Sequence, residues 1–145
     1  MSEDSLSITL LNDLAAVPDA AERVEAFCRD RGIPRRIAHR FSLALDESLT
    51  NAVSHAFPDG GSHRIDVRVE HRGSYLSATV SDDGTAFDPL AQPPPDVHAP
   101  IEERTVGGLG IHLLRSLTDA VEYRRLGDRN NLTFRIRIVE ERPPQ

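Results

Sequence analysis

One stretch, Leu45-Asp46-Glu47-Ser48-Leu49-Thr50-Asn51-Ala52-Val53-Ser54-His55-Ala56, constrains the fold more than any other. Phe41, Leu45, Leu49, Ala52, Val53 and Ala56 recur at three- and four-residue steps, which predicts a helix with one buried side. Glu47 and Asn51 stand four apart, so they lie one turn above each other on the same helical surface. A carboxylate and a carboxamide stacked this way offer a proton acceptor beside an oxygen ligand for a hard cation such as Mg²⁺. Alone, the pair also describes an ordinary solvated helix face. Asp46, turned about 100° from Glu47 on a helix, reads as solvated or interhelical.

Alternating and punctuating residues place the rest of the chain around that helix. Leu6, Ile8 and Leu10 alternate with Ser5, Ser7 and Thr9, the pattern of an edge or partner strand. Pro18-Asp19 opens a helix with a buried stripe of Ala21, Val24, Phe27 and Cys28, stopped by Gly32. Pro34 restarts the chain as the long helix, which ends before the turn cluster Phe57-Pro58-Asp59-Gly60-Gly61. Ile65, Val67 and Val69 form a strand, and after the turn at Arg72-Gly73-Ser74 a second strand of Leu76, Ala78 and Val80 delivers Asp82 at its end. Asp88 to Val106 contains Pro89, Pro93-Pro94-Pro95 and Pro100. So long a structureless segment is a linker, a disordered loop or an active-site lid. A helix from about Leu109 to Leu117 follows. Val121 to Leu126 and Leu132 to Ile138 then make a hairpin around Gly127-Asp128-Arg129-Asn130-Asn131, and Glu140 to Gln145 reads as a frayed tail.

This order predicts an α+β fold, a two-layer sandwich with a mixed, mainly antiparallel sheet and helices on one face. A Rossmann unit is disfavoured, because no Gly-rich turn joins a strand to a helix early in the chain. The 145 residues fit one domain, ordered over about 5–139 with the lid at about 87–107.

Composition removes several mechanisms. All 17 basic residues are arginine. A P-loop needs a lysine on the phosphates and a eukaryotic-type protein kinase needs its strand lysine, so neither is possible. A net charge of −6 argues against nucleic-acid binding through a general positive field. No apolar run approaches the roughly 18 residues of a membrane helix. The acidic start Met1-Ser2-Glu3-Asp4 lacks the pattern of a secretory signal. The single Cys28 cannot form an internal disulfide, which suits a reducing cytoplasm.

Two later stretches give Glu47 and Asn51 a context. Val80-Ser81-Asp82-Asp83-Gly84-Thr85-Ala86-Phe87 ends a strand in an acidic, glycine-containing turn, and Gly107-Gly108-Leu109-Gly110 stands just before the helical pattern Ile111, Leu114, Leu117. A strand-end carboxylate such as Asp82 can accept an exocyclic amine through a charge-assisted hydrogen bond. Gly84 lets the backbone pass close to a base. The glycine cluster can present backbone amides to phosphate at a helix start, or act as a hinge, or do both. Each stretch also has a plain reading, since Asp-Asp-Gly is a common turn.

Together and in this order, the three segments resemble the N, G1 and G2 boxes of the GHKL ATPases, the gyrase, histidine-kinase and MutL superfamily. The short length and the run Val106-Gly107-Gly108-Leu109-Gly110-Ile111-His112-Leu113-Leu114 are similar to bacterial anti-sigma factor serine kinases of the RsbW type. The resemblance runs from about Leu6 to Ile138. It implies the Bergerat ATP-binding fold with ATP and Mg²⁺. Asp82 would read adenine and Asn51 would hold Mg²⁺, while Glu47 would be the general base for a serine hydroxyl of a partner protein. Gly84, Gly107, Gly108 and Gly110 would complete the nucleotide site. Arg104 is the nearest arginine to balance the triphosphate. His55 would touch phosphate or simply fill the helix edge, and His112 would help line the lid. Ala86 departs from the second glycine of the wider superfamily, a change of one methyl that should be tolerated.

On resemblance alone, the partners would be an RNA polymerase sigma factor and a STAS-domain anti-anti-sigma protein. The chain would be a cytoplasmic homodimer without direct nucleic-acid or membrane contact. The alternative is a nucleotide-binding regulatory protein without useful catalysis. The catalytic domain of a two-component histidine kinase ranks last, since the six histidines show no dimerisation-helix context.

Overall fold

The computed structural model describes residues 4–91 and 108–138. β1 (Ser5–Leu11) leads through a 3₁₀ turn at Leu14–Ala16 into α1 (Val17–Asp30) and α2 (Arg35–His55). β2 (Arg64–Arg72) and β3 (Tyr75–Asp82) form a hairpin, followed by a 3₁₀ turn at Pro89–Ala91. α3 (Gly108–Leu117) precedes a second hairpin, β4 (Ala120–Leu126) and β5 (Arg129–Arg137). The strands pair in the order β1-β2-β3-β5-β4, with the helices packed over one face.

The expected α+β sandwich is present, but among the described residues the sheet is not mixed: all four pairings are antiparallel. Two helices separate β1 from β2, so the chain returns to the end it left. The single helix α3 does make β4 run in the direction of β3, yet β5 inserts between them and no parallel pair forms.

α1 stops where Ile33 N–H reaches Cys28 O at 3.0 Å and Gly32 N–H reaches Arg29 O at 3.1 Å, with Gly32 at φ 68°. This is the Schellman ending, which needs a left-handed residue. The inward stripe of α1 is Val17, Ala20, Val24, Phe27 and Cys28. Ala20 takes the place expected of Ala21, because three- and four-residue steps from Val17 reach it. α2 sets Ile37, Phe41, Ala44, Leu45 and Leu49 over Val67, Leu76, Ala78, Phe134 and Ile136, with the Phe41 and Phe134 rings 5.1 Å apart. Each large side chain so buried is worth about 1.5–3 kcal/mol. That seam fixes how α2 is rotated on the sheet, and hence where Ser48 and Asn51 point.

The closing hairpin is tighter than the sequence suggested. Leu126 pairs with Arg129, leaving only Gly127, at φ 61°, and Asp128 in the loop. A two-residue turn with glycine first suits strand twist, so Arg129, Asn130 and Asn131 belong to β5. Gly108 and Gly110 likewise lie inside the first turn of α3 rather than before it. Most of the expected lid, residues 92–107, lies outside the described residues, as do Arg104 and Gly107. Among the described residues, no helix is long and apolar enough to cross a membrane.

Candidate functional site

A cleft opens where the C-terminal end of α2 meets the upper ends of β3, β5 and β4. Ser48, Asn51, Ala52 and Ala56 line it from α2, and Val80 and Asp82 from β3. Phe87 and Pro89 close it from the segment after β3, and Tyr123, Asn130 and Leu132 from the second hairpin. The walls are apolar with a few polar groups, the usual make-up of a small-molecule site. The structure therefore brings Asn51 and Asp82, 31 positions apart in the numbering, to one cavity.

Asp82 is in phase with Leu76, Ala78 and Val80 along β3, so its carboxylate points to the helix side and is 4% exposed. Oδ1 accepts from the Gly84 N–H at 2.8 Å and from Asn130 Nδ2 at 2.9 Å. Oδ2 has no partner among the described residues.

Asn51 contrasts with it. The side chain is 7% exposed, yet its carboxamide makes no hydrogen bond among the described residues, and Nδ2 is shut off from solvent. An unsatisfied buried amide costs about 1–3 kcal/mol. It fits a bound polar group or ion, because its oxygen and nitrogen exchange places by rotation about the side-chain bond. Among the described residues, no cluster of three or more His, Cys, Asp or Glu gathers as a metal site. Mg²⁺ is commonly held by one or two protein oxygens together with substrate phosphates, and a lone Asn51 oxygen suits that arrangement.

Glu47 lies one turn before Asn51, half-buried and outside the lining of the cleft. Burial, and then the neighbouring Asp46 charge, push its carboxyl above the usual range. His55 stacks on Phe87 at 4.9 Å between ring centroids, flanking the cleft without lining it.

Gly84 is required for a reason that the sequence does not display. A Cβ there would stand 2.3 Å from the Ala56 carbonyl oxygen and 2.7 Å from the Ala56 Cβ. The turn after β3 is thus pressed onto the end of α2, and the Thr85 N–H caps the Ala56 carbonyl at 2.9 Å. Ala86 faces solvent, so its methyl is accommodated. Beside this turn, His63 is gripped from both sides, by Asp59 at 3.0 Å and Asp83 at 3.2 Å, and stacks on Phe57.

α3 packs against α2. Arg40 of α2 donates to the Leu117 carbonyl at 2.9 Å, tying down the C-terminal end of α3. β4 starts just beyond, at the end of the sheet away from the cleft. α3 begins at Gly108, with Gly110 in its first turn, and the start of a helix carries N–H groups without intrahelical partners and partial positive charge.

Sequence reasoning passed over Ser48, Phe87, Tyr123, Arg125 and Asn130. Asn130 had a readable signal. It is in phase with Leu132, Phe134 and Ile136, so it is a polar residue at an inward strand position.

The geometry has a match among known proteins. The sequence profile described as the histidine kinase-like ATPase domain matches residues 10–136. The chain belongs to that family. Within it, the chain is 32% identical over 99 residues to the serine/threonine-protein kinase BtrW of Bordetella bronchiseptica, covering 68% of this chain and 70% of that one. It is 36% identical over 84 residues to the serine-protein kinase RsbW of Listeria monocytogenes, covering 55% and 54%. The match thus spans about half the length of that relative. The fold is similar to a crystal structure of the RsbU and RsbW domains of Rv1364c from Mycobacterium tuberculosis, with a TM-score of 0.67 at 17% identity over 92% of this chain and 32% of that one.

Proposed function

We propose that this chain is an ATP- and Mg²⁺-dependent serine-protein kinase that sequesters an RNA polymerase sigma factor and phosphorylates a serine of a STAS-domain anti-anti-sigma protein. The observation that carries the nucleotide part is that the Asp82 Oδ2 and the Asn51 carboxamide, two groups lining one cleft, have no hydrogen-bond partner among the described residues. The kinase part is supported by the named kinase relatives and by Glu47 one turn from Asn51. The sigma factor, the STAS partner, a homodimeric state and a cytoplasmic setting rest on likeness to the RsbW group.

Each residue has a task that its surroundings suit. Asp82 accepts the exocyclic amine of adenine through Oδ2, between the apolar walls of Ala52, Val80 and Leu132. Asn51 offers an oxygen to Mg²⁺, which when bound spreads the charge of the phosphates. The N–H groups of Gly108 and Gly110 face phosphate oxygens from the start of α3, with Gly107, Arg104 and His55 as further phosphate contacts. Glu47 orients the incoming serine hydroxyl and takes its proton. A carboxyl raised toward the working pH is the better base.

The test is transfer of labelled phosphate from Mg·ATP to a STAS-domain protein of the same host. Transfer by the wild type and its loss in Glu47→Gln are expected. Adenine-nucleotide binding without transfer to any such protein would overturn the kinase reading and leave a nucleotide-dependent regulator.

A further inference from the structure

Asp82, Asn130 and Arg125 form one row across β3, β5 and β4, each directly opposite the next. Asn130 is 5% exposed, and its carboxamide is fully engaged within the protein. Its two amide protons go to Asp82 Oδ1 at 2.9 Å and to the Thr85 carbonyl at 2.8 Å. Its oxygen accepts from the Tyr123 hydroxyl, from Arg125 Nη1 at 3.2 Å and from the Phe87 N–H at 3.3 Å. Turning the amide over would set its oxygen against the Asp82 carboxylate and its NH₂ against the Arg125 guanidinium. Both contacts are repulsive, so one orientation is fixed. Arg125 adds a second tie, donating to the Gly84 carbonyl at 2.8 Å.

From this geometry we infer that Asn130 is a specificity-setting positioning residue. It holds Asp82 with one oxygen saturated and the other open to the cleft as an acceptor only. The site therefore takes a purine that carries an amine and rejects one that carries a carbonyl at the same place. This rests on the nucleotide reading above. Asn130 itself has no group left for the base, so it acts only through Asp82. A carboxylate oxygen facing N–H gains a charge-assisted hydrogen bond, whereas facing a carbonyl it opposes two sets of lone pairs. Sites built on such a bond discriminate strongly, because the wrong ligand leaves a buried group unmet.

The probes are Mg·ATP and Mg·ITP, which differ by an amine against a carbonyl at one ring position. Their dissociation constants are measured by calorimetry for wild type, Asn130→Asp and Tyr123→Phe. Wild type should prefer ATP. In Asn130→Asp, the amide donor to Asp82 Oδ1 is replaced by an acceptor, so Oδ1 is no longer saturated and Asp82 is no longer held in one orientation. ATP should weaken roughly 10- to 100-fold, the scale of one hydrogen bond to a charged group, while ITP binding holds or improves, so the preference collapses. Tyr123→Phe removes one hydrogen bond to Asn130 and should narrow the preference less. It keeps the test open if Asn130→Asp does not fold. An unchanged ATP-to-ITP ratio in folded variants would overturn the inference and leave the nucleotide reading standing. A wild type that binds neither nucleotide would overturn both.

Discussion

The two ends of the cleft are built on opposite principles. At the Asp82 end, Oδ1 and the Asn130 carboxamide are tied into the protein through Gly84, Thr85 and Arg125, and among the described residues Asp82 Oδ2 alone of these has no partner. At the Asn51 end, a buried carboxamide has no partner among the described residues and Glu47 carries a carboxyl raised by burial. The first end is rigid before a ligand arrives. The second is left unsatisfied among the described residues. An end that reads identity gains from pre-organisation, since a fixed acceptor discriminates. An end that handles a reacting group gains from holding free, poorly solvated groups whose bonds form late in the reaction.

The largest expected effect breaks the chemistry and leaves both ends folded. Glu47→Gln should lower phosphate transfer by roughly 10²- to 10⁴-fold, the usual worth of a general base, with ATP affinity within a few-fold of wild type. The sign on stability is opposite. A carboxyl whose folded pKa is raised supports the fold while protonated, and that support is lost as pH rises through the folded pKa. The glutamine variant should therefore melt at the same temperature as wild type or slightly higher at neutral pH. Wild-type transfer should fall away on acidification at a pH above the ordinary carboxylate range. Rate–pH profiles and thermal melts check both.

A pair of truncations tests the contrast itself. Asn130→Ala strips a buried donor from Asp82 and should cost the ligand-free protein about 1–3 kcal/mol. Asn51→Ala removes a group that was already unsatisfied, so it should leave ligand-free stability unchanged or raise it while weakening Mg·ATP binding. Denaturant unfolding with and without Mg·ATP reads both, and equal losses in the ligand-free state would end the comparison.

Gly84→Ala attacks the joint between the two ends. Its methyl would overlap the Ala56 carbonyl, and such overpacking costs about 1–3 kcal/mol. Nucleotide affinity should fall with it, since the turn that carries Asp82 must lift from α2.

The smallest effect is at His63. Asp59, chiefly by hydrogen bonding, raises the His63 pKa, and the Gly61 N–H and His63 lower that of Asp59. The support from His63 is complete below its unfolded value of about 6.5 and is lost as pH rises through the folded value. The support from Asp59 is present above about 3.9 and is lost as pH falls through its folded value. His63→Gln should flatten the dependence of the melting temperature on pH between those limits, by a small amount because the groups are solvated.

Much of this molecule is written locally. The periodicity from Phe41 to Ala56 gave α2 and placed Glu47 one turn from Asn51, because a helix depends on neighbours three and four residues away. The alternation of β2 and β3 likewise delivered Asp82 to a strand end. Arg129 to Asn131 read as a turn because polar residues after Gly127-Asp128 look alike in a loop and in a strand. Only pairing with β3 made Asn130 the partner of Asp82, a contact between residues 48 apart. Gly84 was legible as a glycine that matters, but the Ala56 carbonyl that forbids a side chain was not.

The sequence by itself determined which elements form and which chemical groups sit at their ends, since those follow from short-range backbone preference and hydrophobic period. The tertiary structure alone decided that β5 inserts between β3 and β4 and that, among the described residues, one oxygen of Asp82 is occupied and the other not, while Asn51 is buried without a partner. These depend on side chains distant in the chain meeting across a sheet and under a helix, where burial makes each unmet hydrogen bond costly.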